Sequence, residues 1–344
     1  MEDTVTTLPL TPISAGYRMP AEWSAHAATL MIWPARARLW GDRYEAACRE
    51  YAAVASAIAA FEPVFMVCQP GEAQLVRNAC GSGVEPLEFG ADDSWARDAG
   101  PIFVTNEHGD AVAVKFGFNS WGNRWHPYDQ DALIPDRVAA HFGVPLFSAP
   151  MILEGGSFFI DGEGTLITTE QCLLNPNRNP TLDRERIEGI LGDYLGVTKV
   201  IWLPFGHSLD TGPVGTDGHI DGVAQFAGPA RIFLEQPSST ASTEYDRSRA
   251  NLAALEGETD ALGRPLQIEL FDPPLDAEVS YANHYIVNGA VIVPVDAGPI
   301  GAAALAAFEA IYPDREIVGV EAATVATGGG GPHCITQQLP AGIL

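Results

Sequence analysis

The chain has 344 residues, 47% of them hydrophobic and 18% charged, which is the balance of a globular protein with one large or two ordinary domains. Its 19 Lys and Arg stand against 44 Asp and Glu, a formal net charge of −25; this makes nucleic acid and anionic membrane surfaces poor partners and favours small cations. No long apolar run occurs, and the opening MEDTVTTLPL has no basic segment followed by an apolar one, so a cytoplasmic protein without a membrane partner is expected.

In chain order, residues 1–14 read as a loose, flexible leader and 15–344 as the folded unit. The stretch 28-ATLMIWP-34 reads as a strand. The stretch 43-RYEAACREYAAVASAIAAF-61 has apolar positions three and four apart, the spacing of an amphipathic helix, and 184-RERIEGILGDYLG-196 and 302-AAALAAFEAIYP-313 repeat it. Between the helices one arrangement recurs over 95–116, 153–170, 217–236 and 280–295: a polar or Gly-rich motif, a strand, a tight turn and a second strand. The turns HGD, DGEG, AGPA and NG carry residues suited to tight backbone reversal. The closing stretch 326-ATGGGGPHCITQQ-338 has the motif with a single strand, whose predicted partner is the strand at 28–34.

Asp98, Glu154, His219, His284 and Cys334 hold the polar position of successive units, 56, 65, 65 and 50 residues apart. A quasi-period of that size predicts repeated α/β modules arranged radially, their motifs converging on a common axis. A pair of unrelated α/β domains is the competing architecture.

The five cysteines (Cys48, Cys68, Cys80, Cys172 and Cys334) are odd in number, spread out and without a CxxC pair, the pattern of reduced thiols. Four of them read as inert buried residues. Cys334 differs, because four glycines and a proline lead into it, and backbone N–H donors presented by such a segment favour a reactive thiolate. His219 and Asp221, two residues apart, are expected to point to the same side of an extended segment. An imidazole so placed is a general acid and base near neutral pH. Asp98 in SWARDAGP and Glu154 in LEGG stand at strand–loop junctions beside glycine.

Two chemistries use this set. In one, His219, Asp221, Glu154 and His333 hold a metal that activates water. In the other, no metal is needed, and the Cys334 thiolate attacks a carbon held between carboxylates. Clustered carboxylates require a cation, and a planar guanidinium pairs with them through its N–H donors. Its carbon is a poor electrophile unless a strong nucleophile is held in line, a task that only the second chemistry gives to Cys334.

Seven segments in order, GYRMPAEWSAHAATLMIWP, SWARDAGPIFV, FGFNSWG, LEGGSFFIDGEGTLITTEQCLLNPNRNP, TDGHID, SYANHYIVNGAVIVP and GGGGPHCITQQLP, resemble the agmatine deiminase family. That family lies within the guanidine-modifying superfamily and is related to bacterial peptidylarginine deiminase. The resemblance implies a five-bladed α/β propeller, the pentein fold, built of ββαβ-type repeats around a pseudo-fivefold axis as one domain. It implies Cys334 as nucleophile, His219 as general acid and base, and Glu154 as the residue that orients His219. Asp98 and Asp221 would grip the guanidinium. The implied reaction converts agmatine to N-carbamoylputrescine and ammonia through a covalent amidino-thioether, with no cofactor or metal, in a homodimer or larger homo-oligomer.

Trp95, Trp121 and Trp125 are expected to line or cover the pocket, ordinary packing being the alternative, and 175-NPNRNP-180 reads as a structural turn. Two positions depart from the family pattern. Gly215 stands where an acidic residue associated with the substrate's distal amine is common, and Gly222 where Asn is common. The tail of the substrate is therefore left open. Arginine, peptidyl arginine or another guanidino compound is the rival, with Arg97 or Arg124 available for a carboxylate. A non-catalytic propeller that binds a partner is a further alternative, although it would have no use for the constellation around Cys334.

Overall fold

A computed structural model describes residues 11–296 and 298–344. Among them sixteen strands form five small sheets. In chain order the strands are β1 (His26–Ile32), β2 (Val64–Val67), β3 (Val84–Leu87), β4 (Ile102–Thr105), β5 (Ala111–Gly117), β6 (Leu146–Ile152), β7 (Phe158–Ile160) and β8 (Thr165–Thr169). They continue as β9 (Lys199–Leu203), β10 (Ala224–Gly228), β11 (Arg231–Glu235), β12 (Gln267–Phe271), β13 (Tyr285–Val287), β14 (Ala290–Val295), β15 (Glu316–Glu321) and β16 (Thr336–Pro340).

Four sheets share one build, in the orders β4-β5-β6, β7-β8-β9, β10-β11-β12 and β13-β14-β15. In each, the first two strands are an antiparallel hairpin and the third runs parallel to the second. A parallel neighbour needs a crossover, and the helices Ile134–Phe142, Arg184–Leu195, Tyr245–Leu255 and Pro299–Ile311 supply it. The fifth sheet, β16-β1-β2-β3, draws on both ends of the described chain, with β16 antiparallel to β1 from His26↔Pro340 to Met31↔Thr336. The partner predicted for the closing strand is thus the observed one.

The three predicted helices are found at Tyr44–Ile58, Arg184–Leu195 and Pro299–Ile311. The first buries Ala47, Tyr51, Val54, Ala55 and Ile58, a stripe at helical spacing. The second starts where the Asp183 side chain accepts from the Arg186 N–H and stops at Gly196 in the left-handed conformation. Of the stretch 1–14, residues 1–10 lie outside the described residues, and Ile13–Ala15 forms a 3-10 turn. No helix of the described residues is long and apolar enough to cross a membrane.

The repeat positions the chemistry. Asp98 precedes β4, Glu154 precedes β7, His219 and Asp221 precede β10, Asn283 precedes β13, and Cys334 precedes β16. One buried cluster already joins Met31 of β1, Tyr51, Ile292 of β14 and Cys334. The mixed α/β fold therefore gathers one polar motif from the entry of each sheet.

Candidate active site

Most of these segments end in a short turn just before the strand, at Ala96–Ala99, Gly155–Ser157, Ile220–Gly222 and Tyr281–Asn283. His219 and Asp221 do face the same space, but not by strand alternation. The backbone turns through Ile220–Gly222, and this curvature brings His219 Nδ1 within 3.9 Å of Asp221 Oδ1.

Cys334 is 5% exposed. Its Sγ donates to Asp221 Oδ2 at 3.2 Å and accepts from Asn283 Nδ2 at 2.9 Å, and its N–H donates to Asn283 Oδ1 at 3.1 Å. His219 lies between carboxylates, with Nδ1 at 3.8 Å from Asp98 Oδ1 and Nε2 at 3.8 Å from Glu154 Oε2. At those separations neither ring nitrogen has a hydrogen-bond partner, and Glu154 Oε2 has none either. Asp98 is fixed from both sides, accepting from Trp121 Nε1 at 2.8 Å and from the Gly156 N–H at 2.9 Å.

Behind this layer lies a second one. Arg178 Nε donates to Glu154 Oε1 at 2.9 Å, its Nη1 to Asp217 Oδ2 at 2.6 Å and its Nη2 to the Thr216 carbonyl at 2.7 Å, and the Arg178 and Glu154 side chains are fully buried. On the other flank, His333 Nδ1 lies 2.9 Å from Asp221 Oδ2 and Nε2 lies 3.0 Å from Glu22 Oε2. His333 is therefore committed to two carboxylates, and the metal set proposed with His219, Asp221 and Glu154 does not converge on one point.

The charges set the protons. Burial on its own would raise the Glu154 carboxyl, but the Arg178 guanidinium and His219 hold it down at about 2. Asp221 is likewise held below the usual carboxylate range, against its burial, by His333 and His219. Burial pushes Asp98 up, with Asp221 and Glu154 adding to the rise and His219 opposing it. Burial would lower His219, yet Asp98, Cys172 and Glu154 carry it well above the ordinary histidine value. Cys334 is pushed well up by burial and by Asp221 and Asp98. The expectation of a thiolate favoured by its glycine-rich approach is corrected here: the nearest charged group is a carboxylate that accepts from the thiol. Both shifts run towards the protonated forms, a Cys334 thiol and a His219 imidazolium.

An acid limb of stability follows. Glu154 and Glu22 are both depressed to about 2 in the fold, against roughly 4.3 in an unfolded chain. Their stabilisation is complete above the unfolded value and is lost as pH falls through that window. Urea unfolding between pH 4.5 and 2.5 is expected to show steadily falling stability, and a flat profile would contradict the assignment.

A narrow cavity opens onto Cys334 and Asp98, lined by Trp95, Trp121, Trp125, Leu39, Val214 and Thr216. Two glycines permit the close packing beneath it. A Cβ on Gly156 would sit 2.6 Å from His219 Nδ1 and 2.8 Å from Asp221 Oδ2, and one on Gly330 would sit 2.5 Å from the Trp95 ring and 2.9 Å from Cys334 Sγ. Gly156→Ala is accordingly expected to displace His219 and Asp221 and to cost about 100-fold in kcat with the fold retained. Steady-state rates beside a circular dichroism melt check this, and an unchanged kcat contradicts it.

Residues 18–340 match the sequence profile of the Porphyromonas-type peptidyl-arginine deiminase family. The chain belongs to that family. A structure described as agmatine deiminase of Enterococcus faecalis catalysing its reaction superposes with a TM-score of 0.93 at 34% identity, covering 98% of this chain and 99% of that one. A Latilactobacillus sakei protein named "Putative agmatine deiminase" is 38% identical over 366 aligned positions, covering 98% of this chain and 99% of its own. The "Putative Arginine Deiminase from Porphyromonas gingivalis" has a TM-score of 0.84 at 31% identity, covering 95% of this chain and 98% of that one.

The two departures from the family pattern differ in kind. A Cβ at Gly215 would meet the Asp210 carbonyl oxygen at 1.9 Å, so this loop path admits no side chain there. At Gly222 the nearest atoms would be 3.6 and 3.8 Å away, ordinary contact. Neither candidate arginine lines the cavity. Arg97 is 3% exposed and donates to Gln338 Oε1 and Glu22 Oε2, while Arg124 donates to the Gly212 carbonyl and pairs with Asp217.

Four residues of the site escaped the sequence reading. Asn283 is the neighbour of His284, which spacing had singled out; His284 is instead held between the Tyr281 carbonyl and the Tyr312 hydroxyl, and burial pushes it down to about 3. Arg178 was hidden in the turn-like NPNRNP, where its only signal was that a buried Glu154 needs a cation. His333 was weighed only as a metal ligand. Glu22 lies far from the other motifs in sequence and carried no signal of its own.

Proposed function

We propose that this chain is an agmatine deiminase, a hydrolase that uses Cys334 as nucleophile and releases ammonia and N-carbamoylputrescine. The observation that carries the reading is the cavity. Among the described residues its lining has Asp98 as its charged member and no Lys or Arg, and it ends at a thiol that donates to Asp221. Such a lining suits a guanidinium head and offers nothing basic to a carboxylate tail, which favours agmatine over arginine. The indole faces of Trp95, Trp121 and Trp125 suit the distal ammonium. We also read the five sheets as blades of a closed ring, a reading supported by their common build and by β16 clasping β1.

The guanidinium pairs with Asp98 and Asp221, offsetting the negative charge that holds the proton on Cys334. The thiol proton leaves to solvent as the cation arrives, and Sγ attacks the guanidinium carbon. The His219 imidazolium protonates one amino group, the C–N bond breaks and ammonia departs, leaving an amidino-thioether. Neutral His219 then takes a proton from water as its oxygen bonds to the same carbon. Collapse breaks the C–S bond, and the hydroxyl proton of the intermediate passes to the departing sulfur, freeing the ureido product and restoring the Cys334 thiol. Glu154, held by Arg178, steadies the imidazolium throughout.

The test is ammonia release from agmatine, arginine, an arginine peptide and other guanidino compounds, with denaturing mass spectrometry of quenched enzyme. Turnover of agmatine with an adduct on the peptide containing Cys334 is expected. Release from arginine or peptide alone would overturn the substrate, and turnover of agmatine without an adduct-forming Cys334 would overturn the mechanism.

A further inference from the structure

Cys172 has no part in the reaction just described, yet it lies against the centre of the site. It sits on the short helix Glu170–Leu173 after β8, fully buried, with its N–H donating to Thr169 Oγ1 at 3.1 Å. Donor atoms of Cys172, His219 and Glu154 all lie within 4.8 Å of one another. Two of the three are unsatisfied: His219 Nε2 and Glu154 Oε2 face each other at 3.8 Å, and neither has a hydrogen-bond partner.

That is an uncommon situation for a buried imidazole and carboxylate, which ordinarily find partners. One sulfur, one nitrogen and one oxygen are a donor set that zinc accepts, at about 2.3 Å to sulfur and about 2.0 to 2.2 Å to nitrogen and oxygen. In a tetrahedron those bond lengths put ligand atoms roughly 3.3 to 3.6 Å apart, so a closure of a few tenths of an ångström from the observed 3.8 Å brings Glu154 and His219 onto one ion. The outer layer is already set. Arg178 Nε holds Glu154 Oε1 and so turns Oε2 inward, the way supporting hydrogen bonds orient metal ligands. The surrounding Asp98 and Asp221 make the space attractive to a cation.

We infer that Cys172 Sγ, His219 Nε2 and Glu154 Oε2 form a three-ligand site for a thiophilic divalent ion of the zinc type. Binding releases the Cys172 thiol proton and the Nε2 proton of the His219 imidazolium and forms the metal–sulfur and metal–nitrogen bonds without any redox change, so affinity rises with pH. The ion occupies the lone pair of Nε2 and one oxygen of Glu154. If the deiminase reading holds, on which this consequence alone rests, His219 can then no longer exchange protons with the departing amino group or with water, and zinc lowers kcat. Hard cations such as magnesium have no comparable interest in a thiolate and are expected not to inhibit.

The site is tested without substrate. Chelator-treated protein is titrated with cobalt(II) and followed by the thiolate-to-metal charge-transfer absorption, and zinc affinity is obtained by competition, for the wild type, Cys334→Ala and Cys172→Ala. One equivalent with a thiolate band in the wild type and in Cys334→Ala, and loss of the band with at least about tenfold weaker zinc binding in Cys172→Ala, supports the site. A band that vanishes in Cys334→Ala and persists in Cys172→Ala overturns it, as does failure of the wild type to bind one equivalent. Should Cys172→Ala not fold, X-ray absorption of zinc-loaded Cys334→Ala decides: a shell with one sulfur supports the site, and one with none overturns it. A protein that binds zinc in this way but does not hydrolyse agmatine would sink the functional reading and leave the metal site standing.

Discussion

Cys334→Ala is expected to abolish agmatine hydrolysis, lowering kcat by at least about 1,000-fold, while leaving the fold in place. The loss is large because no other thiol of the chain is placed to replace it: Cys48, Cys68 and Cys80 belong to the packing around the helices Tyr44–Ile58 and Ala73–Cys80, and Cys172 does not line the cavity onto which Cys334 opens. The fold tolerates the change because the neighbours of Sγ have other partners. Asp221 keeps His333 at 2.9 Å, and Asn283 keeps the Asp221 carbonyl at 3.2 Å and the residue 334 N–H at 3.1 Å. Truncating one buried sulfur then costs about 1 kcal/mol. Ammonia release and urea unfolding of the same preparation measure both halves. Residual activity within tenfold of the wild type would end the case for a covalent route.

The second large effect falls on Arg178, which touches neither cavity nor thiol. Arg178→Ala is expected to destabilise the protein by about 3 to 5 kcal/mol, because it leaves the Glu154 carboxylate buried and unpaired and frees Asp217 and the Thr216 carbonyl as well. Lysine is not a substitute, since one ammonium cannot serve three acceptors in a plane as the guanidinium does. Glu154 then relaxes towards a protonated carboxyl and ceases to support the His219 imidazolium, so kcat falls along with stability. The discriminating measurement is a double-mutant cycle with Glu154→Gln. Removing the charge that Arg178 neutralises should make Arg178→Ala much less costly, and simple additivity of the two changes would show that the pair is not coupled.

These two residues also mark how far the sequence could be read. Cys334 was legible because its surroundings are peculiar: glycines, a proline and a histidine crowd a thiol near a predicted strand. The hairpins were legible because strand alternation and turn residues are local signals, and the quasi-period let β16 be matched to β1 across the whole chain. Arg178 was not legible, because a guanidinium in NPNRNP looks like any turn until the carboxylate it serves is known. Asn283 was passed over for its neighbour His284, since residue type favours the imidazole as a chemical group while the fold gives it only packing and two hydrogen bonds. The state of Cys334 was misjudged for a related reason. Glycines announce close approach, but what approaches Sγ is Asp221 Oδ2, which holds the proton on.

The pairing of β1 with β16 links residues about three hundred positions apart, from His26↔Pro340 to Met31↔Thr336, and Cys334 stands two residues before the start of β16. Closing so long a loop is entropically unfavourable until most of the chain is already ordered, and contacts of that separation form late. The nucleophile is therefore delivered by one of the last steps of assembly. A chain trapped with its other sheets formed holds three carboxylates, an imidazole and the Cys172 thiol, but lacks the Cys334 nucleophile. Recovery of activity during refolding should lag recovery of secondary structure, so that catalysis itself reports when the clasp has shut.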